Sequence, residues 1–293
     1  MNSLNIAANF SALEKLKKIK QRETTCPILK QRAMTTPLMT IDDMTLKTTI
    51  SSPDLYDLEL TKLIFSHSVF PDLAEQPNFD QFINNLSYID RKFLIWGIFA
   101  STYNTLGTLQ ITCPYCKNEF SDEIKAEQLI QSDTVKVWDK EQPFNEYFIT
   151  VTYECNVEGL FKIEFDLGFP NIAKHLSVMK LISADKLKDN FAKFGTLFSK
   201  SEELAVVTRM IRVYTSPEDI DPQRYITIPQ IHQVIVNFLT MDISDFVLNE
   251  YDKHFVEYVP TFKKPYTCSE CGNDFDYIAD PEASLYRQFF RTR

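Results

Sequence analysis

One phrase occurs twice in this chain: Thr-Cys-x-x-Cys-x-Asn-acid-Phe. It reads Thr112-Cys113-Pro114-Tyr115-Cys116-Lys117-Asn118-Glu119-Phe120 at its first occurrence and Thr267-Cys268-Ser269-Glu270-Cys271-Gly272-Asn273-Asp274-Phe275 at its second. A Cys-x-x-Cys turn offers two thiolates on a tight knuckle, whereas a structural zinc takes four ligands with sulfurs at about 2.3 Å. Neither knuckle suffices alone. The economical reading is a single four-cysteine zinc ribbon assembled from Cys113, Cys116, Cys268 and Cys271, with residues 117–267 leaving the ribbon and returning to it. That reading requires the chain to close on itself over a long span.

Two alternatives stay open at this point, redox chemistry and unligated thiols. Cys113-Pro114-Tyr115-Cys116 spells the active site of glutaredoxins, and Thr227-Ile228-Pro229 could then stand for their cis-proline segment. The context argues against it. A redox cysteine of that kind sits at a helix N-terminus, where the dipole lowers its pKa, but Lys117-Asn118-Glu119-Phe120 reads as a turn into a strand. The proline lies too far downstream, no Gly-Gly follows it, and the second knuckle would go unexplained. Paired spacing of this sort points to metal. The remaining cysteines, Cys26 and Cys155, are expected to be buried or incidental.

At 293 residues and 34.1 kDa, with 44% hydrophobic and 13% aromatic residues, the chain can bury a core and form one or two domains with appendages. Its longest apolar run, Phe93 to Ala100, is too short to span a bilayer and fits a buried helix. The first residues show no apolar signal-peptide core, so the expectation is cytosolic synthesis and first folding, with reduced thiols available for zinc. The net charge of −9 speaks against nucleic acid, because such a binder needs a basic face. The clearest basic stretch, Lys15, Lys17, Lys18, Lys20 and Arg22 with Lys30 and Arg32 beyond it, reads as a solvated helix face or a tail docking on an acidic neighbour.

Six glycines in the whole chain leave no Gly-rich loop to cradle a phosphate, which removes the P-loop and dinucleotide fingerprints. His67, His175, His232 and His254 have no serine or carboxylate at motif spacing, and are expected at the surface or at caps. Acid pairs such as Asp42-Asp43, Glu202-Glu203 and Glu218-Asp219 arise by chance among 40 carboxylates. Ser201-Glu202-Glu203 reads as a helix start. No catalytic constellation emerges, so the chain is read as not an enzyme.

Periodicity predicts an amphipathic helix over 1–22, then an arm over 23–53 broken by Pro27, Pro37 and Pro53 with a short strand from Met44 to Ile50. Helices are expected around Leu55–Ile64 and Phe79–Leu86, and over Phe93–Phe99 with Ser87 and Asp90 at its start. A strand and short helix follow the first knuckle. Tyr147–Tyr153 and Leu160–Leu167 then form a hairpin turning at Asn156-Val157-Glu158-Gly159. Further helices are predicted over Pro170–Ile182, Ala184–Phe198, Ser201–Tyr214, Pro229–Leu239 and Ser244–His254. The fold class is therefore α+β, a mostly helical body with a β-hairpin region and the composite ribbon. The expected division is 1–53 helix and arm, 54–110 helical block, 111–125 with 256–293 composite ribbon and tail, and 126–255 inserted domain. In the tail, Tyr286, Phe289, Phe290 and Arg291 are candidates for partner binding, or for packing on the ribbon.

The run Leu86-Ser87-Tyr88-Ile89-Asp90-Arg91-Lys92-Phe93-Leu94-Ile95-Trp96, then Tyr103 and Thr112-Cys113-Pro114-Tyr115-Cys116, resembles the baseplate proteins of contractile-tailed bacteriophages. Arg32-Ala33-Met34-Thr35-Thr36 with Ile41-Asp42-Asp43 is similar to that family's N-terminal segment, and Cys268 to Cys271 followed by Phe289-Phe290-Arg291 to the ending of its longer members. The resemblance spans roughly 30–125 and 255–293; residues 126–254 are placed by pattern only. It implies a baseplate hub component or a factor that assembles the hub, without catalysis. The implied partners are other tail baseplate proteins, with self-association open and no membrane, and the implied location is the virion tail or the host cytoplasm during assembly. A zinc-ribbon nucleic-acid binder and a thiol oxidoreductase are the alternatives.

Overall fold

The structure is a computed structural model that describes residues 20–39, 42, 53–129, 136–157, 159–184, 200–259 and 262–279. Strands β1 (Arg22–Cys26) and β2 (Gln31–Thr35) pair antiparallel, and after helix α1 (Pro53–Ser66) the two-residue β3 (Ser68–Val69) joins them. Helices α2 (Phe79–Asn85) and α3 (Tyr88–Thr102) lead into the hairpin β4 (Thr105–Thr112) and β5 (Glu119–Lys125). Strands β6 (Ile149–Val157) and β7 (Leu160–Leu167) and helix α4 (Ile172–Ala184) follow. After helical residues 200–207 come β8 (Thr208–Tyr214), β9 (Gln223–Tyr225), α5 (Ile228–Phe238), α6 (Met241–Phe255) and the hairpin β10 (Phe262–Thr267) and β11 (Asp274–Ala279). Strands β6 to β9 make an antiparallel four-stranded sheet in sequence order. The fold is α+β, and among the described residues no helix is long and apolar enough to cross a membrane.

Helix α3 starts where the sequence predicts. The Ser87 hydroxyl accepts from the Asp90 amide at 2.9 Å, a side-chain N-cap. It is buried almost all round, and its two flanks belong to different cores. Ile89 and Phe93 pack with the β6–β9 sheet, α5 and α6, while Leu94, Ile95, Trp96, Ile98 and Phe99 pack with α1, α2 and the first hairpin. That hairpin occupies residues expected to form an extended arm, and it lies directly on α3. At Gly97 a Cβ would stand 2.8 Å from Thr35 Oγ1 and 3.1 Å from Thr24 Cγ2, so a side chain there would push the hairpin off the helix. Ser101, one turn on, donates to the Thr35 carbonyl at 3.1 Å.

The hairpin tip is held by a buried carboxylate. Asp90 Oδ1 accepts from the Ile28 amide at 2.9 Å, and Oδ2 from the Leu29 amide at 3.1 Å and the Ser87 hydroxyl at 2.8 Å. Its neighbour Arg91, 1% exposed, pairs with Asp57 of α1, whose second oxygen lies 3.1 Å from His175 Nε2 of α4. Burial works to raise the Asp57 carboxyl, but Arg91 and His175 outweigh it and hold it well below the usual carboxylate range.

The structure also departs from the predicted elements after the β6–β7 hairpin. The helix expected over Ser201–Tyr214 ends at residue 207, and Thr208–Tyr214 is strand β8. The β-branched Thr208, Ile211 and Val213 favour a pleated surface, and the register sets Arg212 opposite Glu164 of β7, where the guanidinium also grips Asp166 at 2.7 Å. The helices expected over 1–22 and Ala184–Phe198, the strand over Met44–Ile50 and the tail from Tyr286 lie, but for Lys20, Gln21, Arg22 and Ala184, outside the described residues.

Two measurements test these buried charges. Asp57→Ala removes the carboxylate that faces the buried Arg91 guanidinium and should cost about 3–5 kcal/mol in urea unfolding, most of it recovered by adding Arg91→Met. Burial pushes the Asp90 carboxyl up to about 7, against the donors at Ile28, Ser87 and Leu29. The folded chain therefore keeps a proton that the unfolded chain releases near pH 4. Asp90's contribution is complete below that pH and is lost as pH rises through about 7. Between pH 4 and 7 the wild type should lose stability relative to Asp90→Asn, which cannot titrate.

Candidate metal centre

Each knuckle is the turn of a hairpin, and the two turns are built alike. In the first, the ladder closes at Thr112 opposite Glu119, the Cys113 amide donates to the Asn118 carbonyl at 2.8 Å and the Lys117 amide to the Cys113 carbonyl at 3.0 Å. In the second, Thr267 faces Asp274, the Cys268 amide donates to the Asn273 carbonyl at 3.0 Å and the Gly272 amide to the Cys268 carbonyl at 2.9 Å. The residue after the second cysteine takes left-handed backbone in both, with φ 64° at Lys117 and 69° at Gly272. Only glycine adopts that conformation without strain.

The hairpins bring their tips together. Cys113 Sγ lies 3.8 Å from Cys271 Sγ, Cys116 Sγ lies 3.5 Å from Cys268 Sγ, and all four sulfurs are within 4.8 Å of one another. The close pairs cross between knuckles, so neither turn forms a site by itself. A tetrahedron with 2.3 Å metal–sulfur bonds has sulfur–sulfur edges of about 3.8 Å, whereas a disulfide needs about 2.05 Å. The spacing fits a tetrahedral ion, and the four cysteines are free thiols. Cys113 and Cys268 are buried, Cys116 and Cys271 exposed.

Charge makes the same point. Backbone amides at Cys271 and Glu270 draw the Cys268 thiol down to about 6. At Cys116 the Asn118 amide also favours the thiolate, yet burial and the three neighbouring sulfurs carry that thiol up to about 12. Four thiolates this close repel one another, and a bound cation is what would let all four ionise together. Four sulfur ligands around one ion leave no open position, which is the structural rather than the catalytic pattern.

Other residues of the repeated phrase fasten one hairpin to the other. Phe120 and Phe275 sit with ring centroids 6.3 Å apart, and Tyr266 packs on both, at 5.5 and 6.0 Å. Asp122 of β5 accepts from Lys264 and, at 2.5 Å, from the Tyr266 hydroxyl of β10. Lys264 and Tyr266 hold its carboxyl below the ordinary range. Nothing in the sequence spacing announces Asp122, Lys264 or Tyr266, because their link exists only once the hairpins dock.

Several side chains sit where the sequence did not place them. His67, His175 and His232 are buried rather than superficial. His67 lies between the Thr36 hydroxyl at 2.9 Å and Asp42 at 3.1 Å, and His175 faces Asp57, so carboxylates distant in sequence supply the partners that local spacing hid. Cys26 is fully buried and Cys155 partly so. No helix begins at Cys113, which instead precedes a turn into β5. Arg22 and Arg32 of the basic stretch pair with Glu127 at 2.8 Å and Asp72 at 2.6 Å. Tyr286, Phe289, Phe290 and Arg291 lie outside the described residues.

No protein-family model matches the chain, and no curated protein or solved structure matches it either.

Elemental analysis of the purified chain should find one zinc per molecule, lost in Cys113→Ser and in Cys268→Ser alike. Since thiolates bind the metal, retention should weaken as pH falls. Undiminished metal in both variants would sink the composite site.

Proposed function

We propose that this chain is a non-enzymatic structural or assembly component of a contractile-tail bacteriophage baseplate, in its hub region, stabilised by a structural zinc at Cys113, Cys116, Cys268 and Cys271. The observation that carries the structural part is the closed four-sulfur cluster drawn from two distant hairpins. A site of this kind fixes the ends of a long segment relative to one another and leaves nothing to bind a substrate at the metal. The baseplate assignment rests on the resemblance through Leu86–Trp96 and the Cys-Pro-x-Cys knuckle. It is supported by what those residues do here: Ser87, Asp90, Arg91 and Trp96 are buried where two cores meet, so the run that carries the resemblance is the one on which the packing turns. The partners are then other baseplate proteins, and the location is the virion tail or the host cytoplasm while tails assemble.

Affinity purification from cells assembling contractile tails tests the reading. The chain should co-fractionate with baseplate proteins, and Cys268→Ser should reduce that association several-fold. Recovery free of tail proteins, or retention on nucleic acid in low salt, would overturn it.

A further inference from the structure

Each turn of the four-cysteine cluster keeps one sulfur inside and one at the surface, with Cys113 and Cys268 buried and Cys116 and Cys271 exposed. Each exposed sulfur faces the buried sulfur of the other hairpin: Cys116 Sγ lies 3.5 Å from Cys268 Sγ, and Cys271 Sγ lies 3.8 Å from Cys113 Sγ. A reagent in solution therefore meets Cys116 and Cys271 first. The thiol standing ready beside either of them belongs to the opposite hairpin.

That arrangement carries chemistry besides metal binding. A thiolate attacked by a peroxide becomes a sulfenic acid, which condenses with a second thiol to a disulfide. For each pair, two thiols and one hydrogen peroxide give one disulfide and two waters, so the sulfurs give up two electrons and the peroxide oxygens take them. Cys116 and Cys268 have about 1.5 Å to close from 3.5 Å to the disulfide length of about 2.05 Å. Cys116, at the surface of its turn, is the partner with room to move.

The pairing follows from what holds the turns together. Phe120, Phe275 and Tyr266 pack across the two hairpins, and Lys264 and Tyr266 of β10 both donate to Asp122 of β5. None of these contacts uses a cysteine, so the turns stay face to face when a metal leaves. A Cys116–Cys268 bond also ties the ends of the long span between the hairpins, and a disulfide stabilises more as the loop it closes grows. A Cys113–Cys116 bond would close a single turn and leave the hairpins untied.

We propose that the cluster is also a thiol-oxidation site, at which a peroxide joins Cys116 to Cys268 and Cys271 to Cys113, and that these crossed disulfides keep the hairpins clasped once the metal is released. In a reducing compartment metal would be the fastening, and in an oxidising one the two crosslinks. The proposal builds on the four-sulfur site of the structural reading and is independent of the baseplate assignment.

Its test treats the full zinc-loaded chain with hydrogen peroxide, follows metal release with a chromogenic chelator, alkylates the remaining thiols and maps the unreduced peptides by mass spectrometry. Chymotrypsin cutting after Tyr115 and a glutamyl protease cutting after Glu270 put the four cysteines on four peptides. The expected products link the Cys116 peptide to that of Cys268 and the Cys113 peptide to that of Cys271, with zinc released in step. Zinc content before treatment tests the metal site separately, and a zinc-free chain that forms the crossed pairs would remove the metal while supporting the oxidation site. Cys116→Ser with Cys271→Ser leaves only buried sulfurs and should slow their oxidation about tenfold or more. Cys113→Ser with Cys271→Ser should still link the hairpins through Cys116 and Cys268. If either variant fails to fold, the wild-type peptide map decides alone. Bonds within a knuckle, a bond between the two exposed sulfurs, oxidation that runs on to sulfinic acid without crosslinks, or thiols that stay reduced would overturn the proposal.

Discussion

Asp90 sits where the parts of this molecule meet. Its carboxyl is fully buried, yet it accepts hydrogen bonds from the tip of the first hairpin and from the residue that caps α3. A buried polar group is tolerable only when its partners are in place, and here those partners are backbone amides of a segment sixty residues away. The hairpin can therefore settle on α3 in only one position, with Thr24 and Thr35 over Gly97. Once it is there, α3 is covered on both flanks and the two cores share one axis. Arg91, the next residue, ties that axis to α1 and α4 through Asp57.

The four-cysteine cluster answers a different difficulty, closure of the chain. Bringing Cys116 and Cys268 together closes a loop on the order of 150 residues, which costs roughly 4–5 kcal/mol of chain entropy. Four-thiolate zinc ligation would supply on the order of 10 kcal/mol or more at neutral pH. It would exceed closure even before the Phe120, Tyr266 and Phe275 contacts are counted. The segment between the hairpins also carries its own sheet and core, so the closing distance is already shortened when the knuckles meet.

Features set by local chemistry could be read from the sequence. The N-cap at Ser87, the hairpin through Gly159 and the helix that opens with Pro229 in its first turn each depend on residues a few positions apart. The four cysteines could be matched across the chain because their surroundings repeat, in the Thr before each first cysteine and in the Asn, acid and Phe that follow each second one. Strand β8 could not, since Glu202 to Val207 carries helical periodicity straight up to Thr208, and the partners that make the rest a strand, Glu164 and Asp166, belong to β7. The buried histidines were hidden for the same reason. Asp57 and His175 are far apart in sequence, and only packing of α1 on α4 makes one the partner of the other.

The position of the knuckles along their hairpins has a mechanical consequence. The bases of both ribbons are sunk in the body, with Ile124, Ala126 and Phe262 buried in the core that holds α3, whereas the sulfurs stand at the opposite ends of strands six to eight residues long. At about 3.3 Å per residue, the clasp lies some 20 Å out along the two hairpins. A small rotation of either base becomes a large displacement at the tips. Closing the clasp therefore stiffens the body against twisting far more than a bond of the same strength placed near the core would.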